Sequence, residues 1–172
     1  MAIIPYLIPL SMTRQPAEGR GYTKLLEAQT VPVEIILCRT AGGERASREA
    51  CQAMAAKIAP APKYIICADP DRACCNSNDD YKPCLTNVED AIKFLDANDD
   101  FGGVSLVHPR DEKDPDPAHV DIGWCAFRYE VYAELKFPVG EELCISVTRQ
   151  IRSWGHRFGY MDSLNRITHC EH

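Results

Sequence analysis

Asp69 and Asp71 flank a single proline at the end of the chain's most apolar run, Lys63-Tyr-Ile-Ile-Cys-Ala68. Carboxylates one residue apart at a strand tip can point the same way and offer hard oxygen ligands to Mg²⁺ or Mn²⁺. Pro70 fixes φ between them and narrows the range of geometries. An ion held there would bridge a diphosphate and neutralise charge as a nucleotide leaves. The competing reading is a turn opened by an aspartate. Arg45 and Arg48 lie one turn apart near the start of a helix, where cations oppose the macrodipole. They either hold an anion beside the helix end or line a solvated face. Glu141-Glu142 opens the last helix, a position that favours acidic residues whatever the function. Trp124 is a candidate for stacking on a sugar or base, whereas Trp154 fits a buried stripe.

The elements that must position these groups follow from hydrophobic period and punctuation. Strands are expected over 2–10, 31–38, 63–68, 104–107 and 120–127, with two closing strands at 157–161 and 166–169. Helices are expected over 22–29, 44–58, 87–97 and 141–154, with a helical turn at 128–135. Thr86-Asn-Val-Glu89 is a capping box for the third helix. The expected buried stripes are Ala46, Ala50, Met54 and Ile58, then Val88, Ile92 and Leu95, then Leu143, Val147, Ile151 and Trp154. Gly155 is a C′ stop for the last helix. Pro5 and Pro9 threaten the ends of the first strand. Residues 72–85 form a cysteine-bearing loop, and 109–118 a mobile acidic loop that cannot bury a core. Alternating strands and helices make the class α/β with a mainly parallel sheet, whose ligands sit beyond the strand carboxyl ends.

At 172 residues the chain is expected to form a single domain spanning 1–172. A domain of this length removes about 70% of its unfolded surface from water, so it needs no metal or disulfide to fold. The net charge of −6 argues against nucleic acid and an electrostatic membrane anchor. The opening apolar run is too short to span a bilayer, so no transmembrane segment is expected. Nine cysteines without a secretory signal imply reduced thiols and a cytoplasmic location. No pair has C-x-x-C spacing, and most are expected to be small core hydrophobes. Cys74, Cys75 and Cys84 could bind zinc with a fourth ligand from elsewhere, which would make the chain a cysteine-loop metal-binding protein. The histidines at 108, 119, 156 and 172 read as surface or loop residues.

In order along residues 3–169, the chain resembles a short form of the family 2 glycosyltransferases of the GT-A fold. The resemblance rests on Leu25-Leu-Glu-Ala-Gln29-Thr-Val-Pro-Val-Glu34-Ile-Ile36, Arg45-Ala-Ser-Arg48-Glu-Ala and Tyr64-Ile-Ile-Cys-Ala-Asp69-Pro-Asp71. It continues in Phe101-Gly-Gly-Val-Ser, Asp121-Ile-Gly-Trp-Cys-Ala-Phe127-Arg128, Glu141-Glu142 and Arg166-Ile-Thr-His169. The likeness implies a transferase moving a sugar from a nucleotide-sugar donor to an acceptor it does not specify. Asp69 and Asp71 would bind the divalent metal and donor diphosphate, with His169 completing the metal shell. Arg45 or Arg48 would contact donor base or phosphate. Glu141 or Glu142 would be the general base for the acceptor hydroxyl, and the 121–131 segment would help form the acceptor side. The alternative is a relative that keeps the fold as a non-catalytic binding module.

Overall fold

The computed structural model describes residues 2–11, 30–69, 87–106 and 119–161. Their strands are β1 (Ile4–Ser11), β2 (Val33–Thr40), β3 (Tyr64–Ala68), β4 (Phe101–Leu106), β5 (Trp124–Arg128) and β6 (Arg157–Met161). Their helices are α1 (Glu44–Ala55), α2 (Asn87–Ala97), α3 (Tyr129–Glu134) and α4 (Leu143–Ser153). The strands form one six-stranded sheet in the order β2-β1-β3-β5-β4-β6. β1 runs parallel to β2 and β3, and β4 parallel to β6, while β5 is antiparallel to both its neighbours. The α/β class therefore holds, and the sheet is mostly parallel with β5 alone reversed.

Alternation across the sheet makes two cores. Tyr64, Ile66 and Ala68 face one side with Tyr6, Ile8, Trp124 and the α2 residues Val88, Ala91 and Leu95. Ile65 and Cys67 face the other with Leu7, Phe127 and residues from α1, α3 and α4. β3 is buried along its whole length, as its unbroken apolar run requires.

Both prolines of β1 lie inside it rather than at its ends. The Ile4 N–H donates to Pro32 at 2.9 Å, towards β2. Pro5 and Pro9 have the opposite parity, so their missing donors face β3. There the pairing is confined to Tyr6 and Leu7, and the ladder loses little.

Several expectations need correction. The buried side of α1 is Ser47, Arg48, Cys51 and Ala55, and Met54 is exposed, so the apolar stripe points beside the core. The helix ends at Ala55, short of Ile58. Trp154 is exposed, while Leu143, Val147 and Ile151 are buried as expected. β4 begins at Phe101 and takes in the Gly102-Gly103 pair read as its lead-in. β5 begins at Trp124, leaving 120–123 as a connecting segment. Gly155, with φ of 84°, follows the α4 C-cap as a left-handed stop. The expected helix at 22–29, the loops at 72–85 and 109–118, and the strand at 166–169 lie outside the described residues.

Gly103 is the tightest point of the sheet. A Cβ there would come within 2.6 Å of the Phe127 ring and 2.9 Å of the Ala126 carbonyl on β5. At Gly159 on β6 a Cβ would meet nothing within 4 Å. Gly103→Ala should therefore lower unfolding stability by about 1–3 kcal/mol, as over-packing does. Gly159→Ala should stay within about 0.5 kcal/mol. Urea denaturation midpoints of the two variants check this, and equal midpoints would contradict the packing described.

Candidate functional site

Because β5 alone is reversed, its amino end lies at the same sheet edge as the carboxyl ends of the other five strands. The register confirms the arrangement: Ala68 pairs with Trp124, Ser105 with Cys125, and Leu106 with Met161. Asp69 is the first residue beyond β3 at this edge, and its N–H donates to the Gly123 carbonyl at 2.8 Å. The segment 119–123 thus lies beside the tip of β3.

Arg48 crosses to this edge from α1. Its Nη2 lies 2.5 Å from Asp69 Oδ1, and its Nη1 donates to the Ile122 carbonyl at 3.3 Å and faces Cys67 Sγ at 3.4 Å. The Arg48 side chain is 4% exposed and that of Asp69 31%. Burial works against the arginine's charge, but Asp69, Cys67 and Glu44 together outweigh it and hold the proton more firmly than usual. Under α1, the neighbouring Cys38 and Cys67 thiols, and then burial, push the Cys51 thiol up. Its neighbour Cys51, and then the Arg48 charge, hold the Cys67 thiol below its usual range against the opposing effect of burial. Cys38, Cys51, Cys67 and Cys125 are buried and unbridged, as expected of core thiols.

Arg45 behaves differently from Arg48. It pairs with Glu49 at 2.9 Å on an exposed helix face, so the structure separates the two arginines. The turn before α1 is also specific. A Cβ on Gly42 would fall 2.3 Å from that of Ala46, so only glycine lets the chain enter the helix this closely. This brings the α1 N-terminus to the edge that bears Asp69, since β2 ends there at Thr40.

The acidic pair lies at the start of α4. Glu141 Oε2 is 2.5 Å from Arg149 Nη2. Glu142 is the N-cap, accepting from the Cys144 N–H at 3.1 Å and the Ile145 N–H at 3.3 Å. Its Oε1 also lies 3.6 Å from His119 Nε2, and His119, Glu142 and Cys144 offer ligand atoms within 4.8 Å of one another. Burial pushes the Cys144 thiol up to about 12, although the Ile122 backbone amide opposes this.

The 119–123 segment is fastened from four sides. Tyr160 Oη accepts from the Asp121 N–H at 2.9 Å and donates to the His119 carbonyl at 3.1 Å. Ser105 Oγ donates to the Asp121 carbonyl and, at 3.1 Å, to that of Trp124. Thr148 accepts from the Val120 N–H at 3.2 Å, and Arg48 holds Ile122. The structure thus joins Arg48 to Asp69 directly, and relates Glu142 to them through this segment. Asp71, His169 and the cysteines at 74, 75 and 84 lie outside the described residues.

One expectation is overturned here. Trp124 is buried, and its indole N–H donates to Tyr6 Oη at 2.8 Å, so it offers no stacking face. Arg128 lies away from this edge. It pairs with Tyr64 in register, at the far end of β3 from Asp69, and donates to the carbonyls of Leu95, Asn98 and Phe101. His119 and Cys144 were not singled out by their spacing, because only the packing of the 119–123 segment on α4 brings them together.

No family model matches the chain, and no curated protein matches it. Among solved structures it resembles the crystal structure of A197 from STIV, with a TM-score of 0.55 at 14% identity. The match covers 100% of this chain and 87% of that one, and it shows a shared fold. Among the described residues no helix is long and apolar enough to cross a membrane.

Arg48→Met should lower stability by about 1–3 kcal/mol, because it strips the Ile122 carbonyl and Asp69 of a donor. Arg48→Lys should recover only part of this, since one ammonium does not reproduce a planar fork. Urea midpoints measure both, and a wild-type midpoint for Arg48→Met would rule out this contact as a structural tie.

Proposed function

We propose that the chain is a divalent-metal-dependent glycosyltransferase that takes a sugar from a nucleotide-sugar donor. The supporting observation is the position of Asp69. From β1 the chain moves to β2 on one side, then crosses back to β3 on the other, so the crossovers part between β1 and β3. α/β sheets bind ligands at the carboxyl end of such a divide. Asp69 stands there, part-exposed and held by a buried arginine.

The donor set suits the ion. Asp69 supplies a hard carboxylate oxygen, the ligand type that Mg²⁺ and Mn²⁺ prefer, and Asp71 follows two residues later. When bound, the ion would supply charge neutralisation at the departing diphosphate. Arg48 restricts the rotation of Asp69 and adds positive charge beside the phosphates. The N-terminus of α1 presents backbone N–H groups to an anion at the same edge. Glu141 is the better placed of the acidic pair to take the proton from the acceptor hydroxyl, because Glu142 is held as the α4 cap. The acceptor class, whether saccharide, lipid or protein, is left open.

One observation favours the second reading, a binding module without turnover. Both candidate bases are engaged, Glu141 by Arg149 and Glu142 by the helix end. Binding of nucleotide diphosphate without even slow hydrolysis of any nucleotide sugar would select this reading.

Calorimetric titration with UDP and with GDP, each with and without Mn²⁺, tests the proposal. One of the two should bind in a Mn²⁺-dependent manner. Asp69→Ala should weaken that binding about tenfold or more, the scale of a lost charge-assisted contact. Failure of every nucleotide diphosphate to bind with Mn²⁺ would sink both readings.

A further inference from the structure

We propose that His119, Glu142 and Cys144 form a zinc site with one coordination position left open. The three ligand atoms lie within 4.8 Å of one another. His119 Nε2 and Glu142 Oε1 are 3.6 Å apart, too long for a good hydrogen bond. Two ligands at zinc distances on a tetrahedron stand roughly 3.3–3.8 Å apart, so the spacing suits an ion between them. A nitrogen, an oxygen and a sulfur together select zinc over the hard cations suited to Asp69.

Each ligand is held by something other than the metal. Glu142 is fixed as the cap of α4, and Cys144 sits in that helix's first turn. The His119 carbonyl accepts from Tyr160, and the next residue's N–H is bound by Thr148. The Ile122 amide facing the Cys144 sulfur is the kind of outer-shell donor that orients a thiolate ligand. His119 and Glu142 are 43% and 48% exposed, so an ion can enter from solvent. Three protein ligands leave the fourth place for water or an anionic oxygen, the pattern of zinc sites that do chemistry rather than only brace a fold. The site stands apart from the nucleotide reading and does not depend on it.

Cobalt titration of the full chain, metal-free and kept reduced, tests the proposal. One equivalent of Co²⁺ should bind, with a sulfur-to-metal charge-transfer band, and Zn²⁺ should displace it. Cys144→Ser should abolish the band while circular dichroism stays unchanged. His119→Ala, at an exposed position, should weaken Co²⁺ binding about tenfold or more, since even outer-shell partners are worth that much. An ion at Asp69 would have no sulfur ligand and give no such band. No cobalt binding, or a band that persists in both variants, would overturn the proposal; persistence would place the sulfur ligand elsewhere in the chain.

Discussion

A buried guanidinium cannot be left without partners, and the carboxyl edge of this sheet is organised around that constraint. Arg48 sits in the core beneath α1, where an unpaired charge would cost several kcal/mol. Its partners come from three places: Asp69 after β3, Cys67 within β3, and the Ile122 carbonyl in the segment before β5. Engaging both Nη groups of one side chain therefore fixes helix, strand tip and connecting segment together, while its Nε stays buried without a partner. The same contact leaves Asp69 part-exposed but restrained, the condition under which a carboxylate can serve as a prepared ligand.

The reversed strand explains why a segment that precedes a strand belongs to this edge. In an all-parallel sheet, the residues leading into a strand lie at the opposite edge from the ligand. Running β5 antiparallel brings 119–123 to the ends of β3 and β4. Polar side chains from Tyr160, Ser105 and Thr148 then satisfy its backbone. A connecting segment so near the core would otherwise strand N–H and C=O groups.

Continuous apolar runs make the central strands legible in the sequence, and the end of the β3 run places Asp69 at a strand tip. The Gly155 stop after α4 was legible for the same local reason, although the last expected core residue of that helix, Trp154, faces solvent. α1 was misread because hydrophobicity at a spacing of four picked out Ala46 and Met54. The face that packs carries Ser47, Arg48 and Cys51, and a charged side chain at its centre conceals that face from any apolar count. Trp124 looked available because a sequence cannot display the Tyr6 hydroxyl across the sheet. His119 and Cys144 were invisible for the same reason, since their proximity is a tertiary fact with no local period. The remaining elements of the proposed donor site, Asp71 and His169, belong to residues the structure does not describe.

Ile122 is where the two candidate sites meet. Its carbonyl is held by Arg48, its amide faces the Cys144 sulfur, and its side chain is 3% exposed in the core. Both peptide planes around it are thus fixed, and neither can turn without disturbing one of the two clusters. The chain has placed its hard oxygen donor on one side of this residue and its mixed nitrogen, oxygen and sulfur donors on the other. Ligand chemistry then keeps the sites distinct, because an ion suited to one donor set is poorly suited to the other. Proximity without competition is the physical arrangement that would allow both to be filled at once.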